Sequence, residues 1–467
     1  MIHRYQKKGL NFVLDVNSGA VHLLDDISYA VSGLLDENMG DTCPQSIIDA
    51  LPDYTADEIR EAYGELYELK KAGQLFAQDD YIDVSRYIPV NAPVKALCLH
   101  VAHDCNLRCK YCFASTGDFG QGRKIMPPEI AKKAIDFVIA RSGVRHNIEV
   151  DFFGGEPLMA WDTVTQTVDY ARSLEEKHNK KFRFTITTNG LLLDEDKRKY
   201  INENMDNCVL SLDGRREVND EFRKTVAGTG SYDTIVPKFK ALVDERDPNL
   251  DYYARGTFTS HNLDFAEDVL SIADAGFDRL SVEPVTADPG CGYDLTEDDL
   301  PKIEAEYDRL TDIMLERKKE GKPFTFFHFM VDLDQGPCVV KRLRGCGAGY
   351  EYVAVTPDGD IYPCHQFVGK DEFKQGSVLD QSFNMDIAQK FAGMNIYSRP
   401  KCQKCWAKFY CSGGCSAANY NMNHDMNDSY DLGCEMERKR LECAIYLKAM
   451  DKILCKSVEV MNCKKNP

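Results

Sequence analysis

A chain of 467 residues, 43% of them apolar, exceeds one ordinary hydrophobic core and predicts two to four domains. Its net charge of -18 excludes the basic stripe of a nucleic-acid surface, so no nucleic acid is expected as a partner. With no apolar run of about 18 residues, and no apolar core in the opening Met1-Ile2-His3-Arg4-Tyr5-Gln6, neither membrane nor secretion is expected, and the location is expected to be cytoplasmic.

Residues 1–78 read as a small αβ module. A strand over 11–16, a turn at Asn17, Ser18 and Gly19, and a returning strand over 20–24 form a hairpin. Ile27, Ala30, Val31, Leu34 and Leu35 then share one helical face. Thr55 and Glu58 form a capping box that opens a helix whose apolar side is Ile59, Ala62, Tyr63, Leu66 and Leu69. Gly73 should end that helix before a short strand over 74–76. Residues 79–93 are acidic and carry Pro89 and Pro93, which suits a linker.

Strand-like runs recur over 95–101, 147–153, 182–188, 207–212, 252–258 and 279–282, with helical patterns between most of them. This alternation predicts parallel strands with right-handed crossovers and function at the carboxyl ends of the strands. A helix is expected over 295–319, opened by Thr296 and Asp299, and the aromatic run over 324–329 reads as core.

The 18 cysteines, in a compartment that keeps thiols reduced, imply metal ligation or redox chemistry. Cys105, Cys109 and Cys112 form a CxxxCxxC loop able to grip one face of an iron-sulfur cubane and leave its fourth iron open. A structural zinc site would want a fourth nearby ligand. After the second strand, Gly154 and Gly155 let backbone approach a ligand, and Glu156 offers an acceptor for an ammonium group. A second cysteine series runs Cys346, Cys364, Cys402, Cys405, Cys411, Cys415 and Cys434. Cys402, Cys405, Cys411 and Cys415 alone would also suit a zinc ribbon. Cys43, Cys98, Cys208, Cys443, Cys455 and Cys463 read as spare or buried thiols, and Cys291 as incidental.

The CxxxCxxC loop, directly after the strand over 95–101, resembles the signature of radical S-adenosylmethionine (SAM) enzymes. The later cysteine series resembles a SPASM domain, which holds two auxiliary clusters. The implied fold class is α/β, with a partial (β/α)6 TIM barrel over 94–290 and a bridging helical segment over 291–337. A winged-helix-like leader-peptide-binding domain, similar to the pyrroloquinoline-quinone chaperone fold, would occupy 1–78. A cysteine-rich SPASM domain would occupy 338–440, followed by a helix or tail over 441–467.

The implied cofactors are S-adenosylmethionine and three 4Fe-4S clusters, the first on Cys105, Cys109 and Cys112. By the same resemblance Tyr111 and Phe113 lie at adenine, and Gly154, Gly155 and Glu156 hold the methionine end. Asn189, Ser211 and Asp213 face the cofactor, Arg223 pairs with its carboxylate, and Leu280 or Ser281 offers backbone to adenine, with Glu283 a candidate beside them. Cys402, Cys405, Cys411 and Cys434 would close the distal auxiliary cluster, while Cys346, Cys364 and Cys415 hold the nearer one. Its fourth place falls either to Cys338 or to a substrate thiolate.

The run over 97–105 and the opening five residues are very like the maturases of six-cysteines-in-forty-five (SCIFF) peptides. That likeness implies sulfur-to-carbon thioether formation in a cysteine-rich precursor peptide, its leader bound at the amino-terminal domain. A flavodoxin or ferredoxin would donate electrons. The anaerobic sulfatase maturases are a rival, but they place a carboxylate base where this chain has His365, which stands as a base, a peptide contact or a pocket histidine. A non-enzymatic iron-sulfur electron carrier is the rival from another class.

Overall fold

The computed structural model describes residues 1–87, 92–333 and 339–463, without the side chains of 85–87, 339–340 and 454–463. The amino-terminal module is a three-stranded antiparallel sheet of β1 (Ile2–Lys7), β2 (Leu10–Asp15) and β3 (Val21–Leu24) under helices α1 (Asp26–Ser32), α2 (Gln45–Ala50) and α3 (Ala56–Lys71). The α3 helix begins as its sequence demands: Thr55 Oγ1 accepts from Glu58 N at 3.3 Å and Glu58 Oε2 accepts from Thr55 N at 2.9 Å. Its Ile59, Ala62, Tyr63 and Leu66 are buried against Val13 and Val31, and Gly73, at φ +68°, turns the chain out of the helix. The expected strand over 74–76 does not form, because Phe76 takes φ +54°, a left-handed conformation that cannot continue an extended run. Within 79–93 a short helix α4 (Tyr81–Tyr87) forms, and Asp79 takes an ion pair from Lys408 at 2.8 Å.

The large sheet then follows: β4 (Ala96–His103), β5 (Lys124–Ile125), α5 (Pro128–Arg141), β6 (Asn147–Gly154), α6 (Trp161–His178), β7 (Lys181–Thr188), α7 (Glu195–Asn204), β8 (Asn207–Ser211), α8 (Arg216–Phe222), α9 (Tyr232–Asp244), β9 (Asp251–Phe258), α10 (Phe265–Asp274) and β10 (Arg279–Pro284). The strands β4, β6, β7, β8, β9 and β10 lie side by side in that order, all parallel, which is the expected partial barrel. Its core is packed by Leu97, Leu99, Phe152, Phe182, Phe184, Ile186, Leu210 and Val282, none of them exposed.

After α11 (Leu300–Lys319) and β11 (Thr325–Phe326), which adds a short parallel edge to β10, the chain crosses to the opposite edge of the barrel. There α12 (Val339–Arg344) precedes the hairpin of β12 (Tyr352–Val355) and β13 (Asp360–Tyr362), turned at Gly359 with φ +88°. The β12 strand pairs in parallel with β4, so the cysteine-rich region continues the barrel's own sheet through β14 (Gly376–Ser377). Helices α13 (Met385–Gly393), α14 (Pro400–Gln403), α15 (Lys408–Cys411) and α16 (Ser416–Asn423) lead to the long α17 (Asp431–Cys463). Phe324, Phe326 and Phe329 are core as expected, while Phe327 is exposed.

Candidate active site

The three-cysteine loop leaves the carboxyl end of β4 and is pinned from below. Cys105 N donates to Asp104 Oδ1 at 2.8 Å, Arg108 N to the Lys224 carbonyl at 2.7 Å, and Lys110 N to the Phe222 carbonyl at 3.2 Å. The glycine pair after β6 serves this loop. A Cβ on Gly154 would overlap the Ala102 carbonyl and one on Gly155 the Asp104 carbonyl, while Glu156 N donates to that same Asp104 oxygen at 2.9 Å. The close approach that demands glycine here is therefore between backbone and backbone.

Cys105, Cys109 and Cys112 line one cavity of about 240 Å³ with Tyr111, Phe113, Gly154, Gly155, Glu156, Asn189, Ser211, Arg223 and His365. Burial pushes the Cys105 and Cys109 thiols up to about 12 and raises Cys112 as well. Loading these sulfurs with iron must then expel protons. Cys105 Sγ already accepts from Leu107 N at 3.4 Å and from Asn189 Nδ2 at 3.6 Å, donors that favour a thiolate.

Glu156 is buried, its Oε1 accepting from Leu158 N at 3.0 Å and Thr188 Oγ1 at 2.7 Å, and its Oε2 from Asn189 N at 2.8 Å. Burial raises its pKa to about 7 against the pull of these three donors, which favour the carboxylate. The carboxylate thus clamps the ends of β6 and β7 and keeps lone-pair capacity on Oε2 for a cation. Asp213, also buried, accepts from Tyr111 Oη at 2.6 Å and Thr257 N at 3.0 Å. Arg223 Nε stands 3.0 Å from Asp213 Oδ1 but lacks the alignment of a hydrogen bond with any described residue. With Nε ion-paired to Asp213, the rest of the Arg223 guanidinium lines the cavity wall and fits an anionic ligand group, such as a carboxylate.

Leu280 and Ser281 lie away from this cavity. Leu280 is core between Ala254 and Phe326, and Ser281 Oγ meets His328 Nε2 at 3.3 Å. The sixth strand runs two residues further than its apolar run suggests, to Pro284, so Glu283, Pro284, Val285 and Thr286 form the wall instead. Arg255, Thr257 and Gln366 also line the cavity and escaped the sequence reading. Arg255 and Thr257 carry a faint signal, two alternate residues at the carboxyl end of a parallel strand.

His365 enters from the cysteine-rich region. Its ring lies 5.1 Å from Phe153 and 5.3 Å from Phe113, and its Nδ1 is 3.3 Å from Tyr352 Oη. Burial first, then the Arg255 guanidinium, pushes it down to about 4, so it stays neutral at pH 7.

The second cysteine series divides into two sets. Cys402, Cys405, Cys411 and Cys434 line a separate cavity of about 60 Å³ with Glu437 and Arg438. The Cys364 thiol is raised by burial and then by Cys415 and Cys346, so these three form the other set. Cys434, not Cys415, completes the first set, which is the wrong partner for a zinc ribbon. Among the described residues no group of three or more His, Cys, Asp or Glu is spaced to hold a single metal ion, whereas a multi-iron cluster spreads its thiolates more widely. Cys338 lies outside the described residues.

A strand-end cavity floored by three cysteines, with further cysteine sets beyond it, defines an iron-sulfur protein built around a cofactor pocket. Residues 99–251 match the Radical SAM superfamily, and residues 346–406 match SPASM, an iron-sulfur cluster-binding domain. The chain therefore carries a radical SAM domain followed by a SPASM domain, and the two imply S-adenosylmethionine and iron-sulfur clusters. It is 25% identical over 354 residues to a cysteine-type anaerobic sulfatase-maturating enzyme of Clostridium novyi, covering 71% of this chain and 90% of that one. Its fold is similar to anSMEcpe with bound AdoMet and Kp18Cys peptide, with a TM-score of 0.62 and 21% identity over 77% of this chain and 99% of that one. It is also similar to Streptococcus suis SuiB bound to precursor peptide SuiA, with a TM-score of 0.53 and 17% identity over 92% of this chain and 98% of that one. Among the described residues no helix is long and apolar enough to cross a membrane.

Proposed function

We propose that this protein is a radical SAM peptide maturase that closes thioether bonds between cysteine sulfur and carbon within a cysteine-rich precursor peptide. One observation carries the reading: His365 and Gln366, which directly follow Cys364 of the auxiliary series, line the same cavity as Cys105, Cys109 and Cys112. The place where a carbon radical would form thus borders a second redox site.

S-adenosylmethionine held against a 4Fe-4S cluster supplies a 5′-deoxyadenosyl radical, which takes a hydrogen atom from carbon. This chain's residues bind and orient. Cys105, Cys109 and Cys112 would hold the cluster, Glu156 Oε2 would accept the cofactor's ammonium group, and the Arg223 guanidinium would meet its carboxylate. Phe113 and Phe153 line the cavity beside His365 and would give the peptide an apolar wall. The neutral His365 lines the cavity and would contact the peptide there. Two auxiliary clusters would sit on the cysteine sets described above, three clusters in all.

Residues 1–78 would bind the leader. The β3 edge of the small sheet has no strand beyond it among the described residues, which suits addition of a peptide strand. The solved relatives are consistent with such a substrate, since one was captured with a Kp18Cys peptide and the other with a precursor peptide. A flavodoxin or ferredoxin would supply the electron.

The likeness to the sulfatase-maturating enzyme favours a second reading, a radical dehydrogenase of cysteine side chains. Reconstituted, reduced protein would be given S-adenosylmethionine and a cysteine-rich peptide under anaerobic conditions. Thioether formation predicts 5′-deoxyadenosine, loss of two hydrogens per crosslink, and cysteines that no longer alkylate. An aldehyde trapped by hydroxylamine would support the dehydrogenase, and absence of 5′-deoxyadenosine would reduce the protein to an electron carrier.

A further inference from the structure

Helix α17 passes two of the sites just described. Its Glu437 lines the four-cysteine cavity, and Arg440, one turn further on, ion-pairs with Glu437 on the same helical face. The Arg440 side chain is only 13% exposed, and its other face turns to the barrel. There its NH1 donates to His328 Nδ1 at 3.2 Å, which fixes the imidazole proton on Nε2. That Nε2 faces Ser281 Oγ at 3.3 Å and Glu283 Oε1 at 3.9 Å. Glu283 ion-pairs in turn with Arg255, and both line the reaction cavity.

Arg255, Glu283, His328, Arg440 and Glu437 therefore form a row of polar groups from one cavity to the other, in contact at every step but the 3.9 Å between His328 and Glu283. A solvated surface network would not need a largely buried arginine held between an acid and a histidine, since a desolvated cation is tolerated only where it is well paired. Burial raises Glu283, but Arg255 and then His328 and Arg440 hold it below the usual carboxylate range, so Glu283 is charged at neutral pH, while burial and then Arg440 push His328 down to about 3 and leave it a neutral link.

We infer that this row couples the two sites, so that S-adenosylmethionine bound in the reaction cavity raises the reduction potential of the cluster held by Cys402, Cys405, Cys411 and Cys434. The sign follows from charge. The cofactor brings a net positive charge beside Glu283, drawing that carboxylate toward the cavity. Arg440, which feels Glu283 only through space across His328, then offsets more of the Glu437 charge beside the cluster through the ion pair it already makes, which favours the added electron. By linkage, reduction of that cluster tightens cofactor binding by the same factor. Arg440 and Glu283 are then positioning residues that time electron uptake to an occupied cavity. The inference rests on the cluster assignment above and not on thioether chemistry.

The test uses the reconstituted full chain, first shown to carry about twelve irons, in potentiometric titrations followed by the distal cluster's EPR signal with and without S-adenosylmethionine. The native chain should show about a tenfold coupling, a rise of about 59 mV for one electron. Glu283→Gln and Arg440→Met should each reduce it below twofold, and Arg440→Lys, which keeps the cation, should restore part. A native coupling below twofold, equal shifts in native chain, Glu283→Gln and Arg440→Met, or a chain without the distal cluster would overturn the inference. Failure of any peptide to become crosslinked would leave it standing, so the two readings fail separately. Should Arg440→Met not fold, Glu283→Gln and His328→Asn carry the test from the barrel side.

Discussion

Glu156 holds two tasks at once, and its acidity is where they meet. Its carboxylate joins β6 to β7 through Thr188 and Asn189, yet burial raises it to about 7, so near neutrality the group is partly protonated before any ligand arrives. A raised carboxyl favours the protonated folded state, so the cost of ionising it grows as pH rises from the ordinary carboxylate range to about 7 and is constant above that. An incoming ammonium group reverses the preference. Affinity for S-adenosylmethionine should therefore rise about eightfold between pH 6 and 7.5, one proton being released on binding. Anaerobic calorimetry on the native chain and on Glu156→Gln would check this. The variant should bind weakly with no such slope, and a flat native profile would remove Glu156 from the cofactor's partners. Arg223 shows the other side of residue-scale reading. Without its ion pair to Asp213 at the cavity wall it is one more arginine in a charged run, and no periodicity distinguishes it.

Helix α3 is the element whose start is most fully specified by local chemistry, since both halves of its capping box are made. Thr55→Ala should cost about 1 kcal/mol, and the loss should stay within the amino-terminal module. Hydrogen exchange would quicken over 56–71 while protection in β4 and β6 is unchanged. Uniform loss of protection would mean that the module and barrel unfold as one unit. Elements of this kind were legible because their signals are local: a cap, a 3.6-residue stripe, or an apolar run such as Leu97 to Val101. Two were not. The β1 strand reads Ile-His-Arg-Tyr-Gln-Lys, too polar for a strand signal, and is held by Glu442 against His3 at 2.9 Å and by the stacking of His3 on Trp406. The pairing of β12 with β4 joins segments some 250 residues apart, and register at that distance leaves no trace in either sequence. The wall over 284–286 was missed for a smaller reason: the strand outruns its apolar residues by Glu283, a candidate in the sequence, and Pro284.

At the scale of the whole molecule the three cysteine sets stand on separate elements: a loop after β4, the surroundings of the β12–β13 hairpin, and the segment from α14 to the first turn of α17. Each set is desolvated by its own neighbours, as the raised Cys105, Cys364 and Cys434 thiols show, so each should fill or stay empty on its own. Three clusters predict about twelve irons per chain, and Cys105→Ala, Cys109→Ala and Cys112→Ala together should lower that to about eight. Far-ultraviolet circular dichroism should be unchanged, since Arg108 and Lys110 hold the loop through backbone N–H bonds to the Lys224 and Phe222 carbonyls rather than through sulfur. Because bound clusters stabilise the fold that holds them, the triple variant should unfold at a lower temperature while keeping the auxiliary irons. An iron count near four in the native chain, or zinc in place of iron, would remove the auxiliary clusters and with them the redox partner beside His365. A fall to zero in the triple variant would show instead that the sets assemble in order, the loop after β4 first.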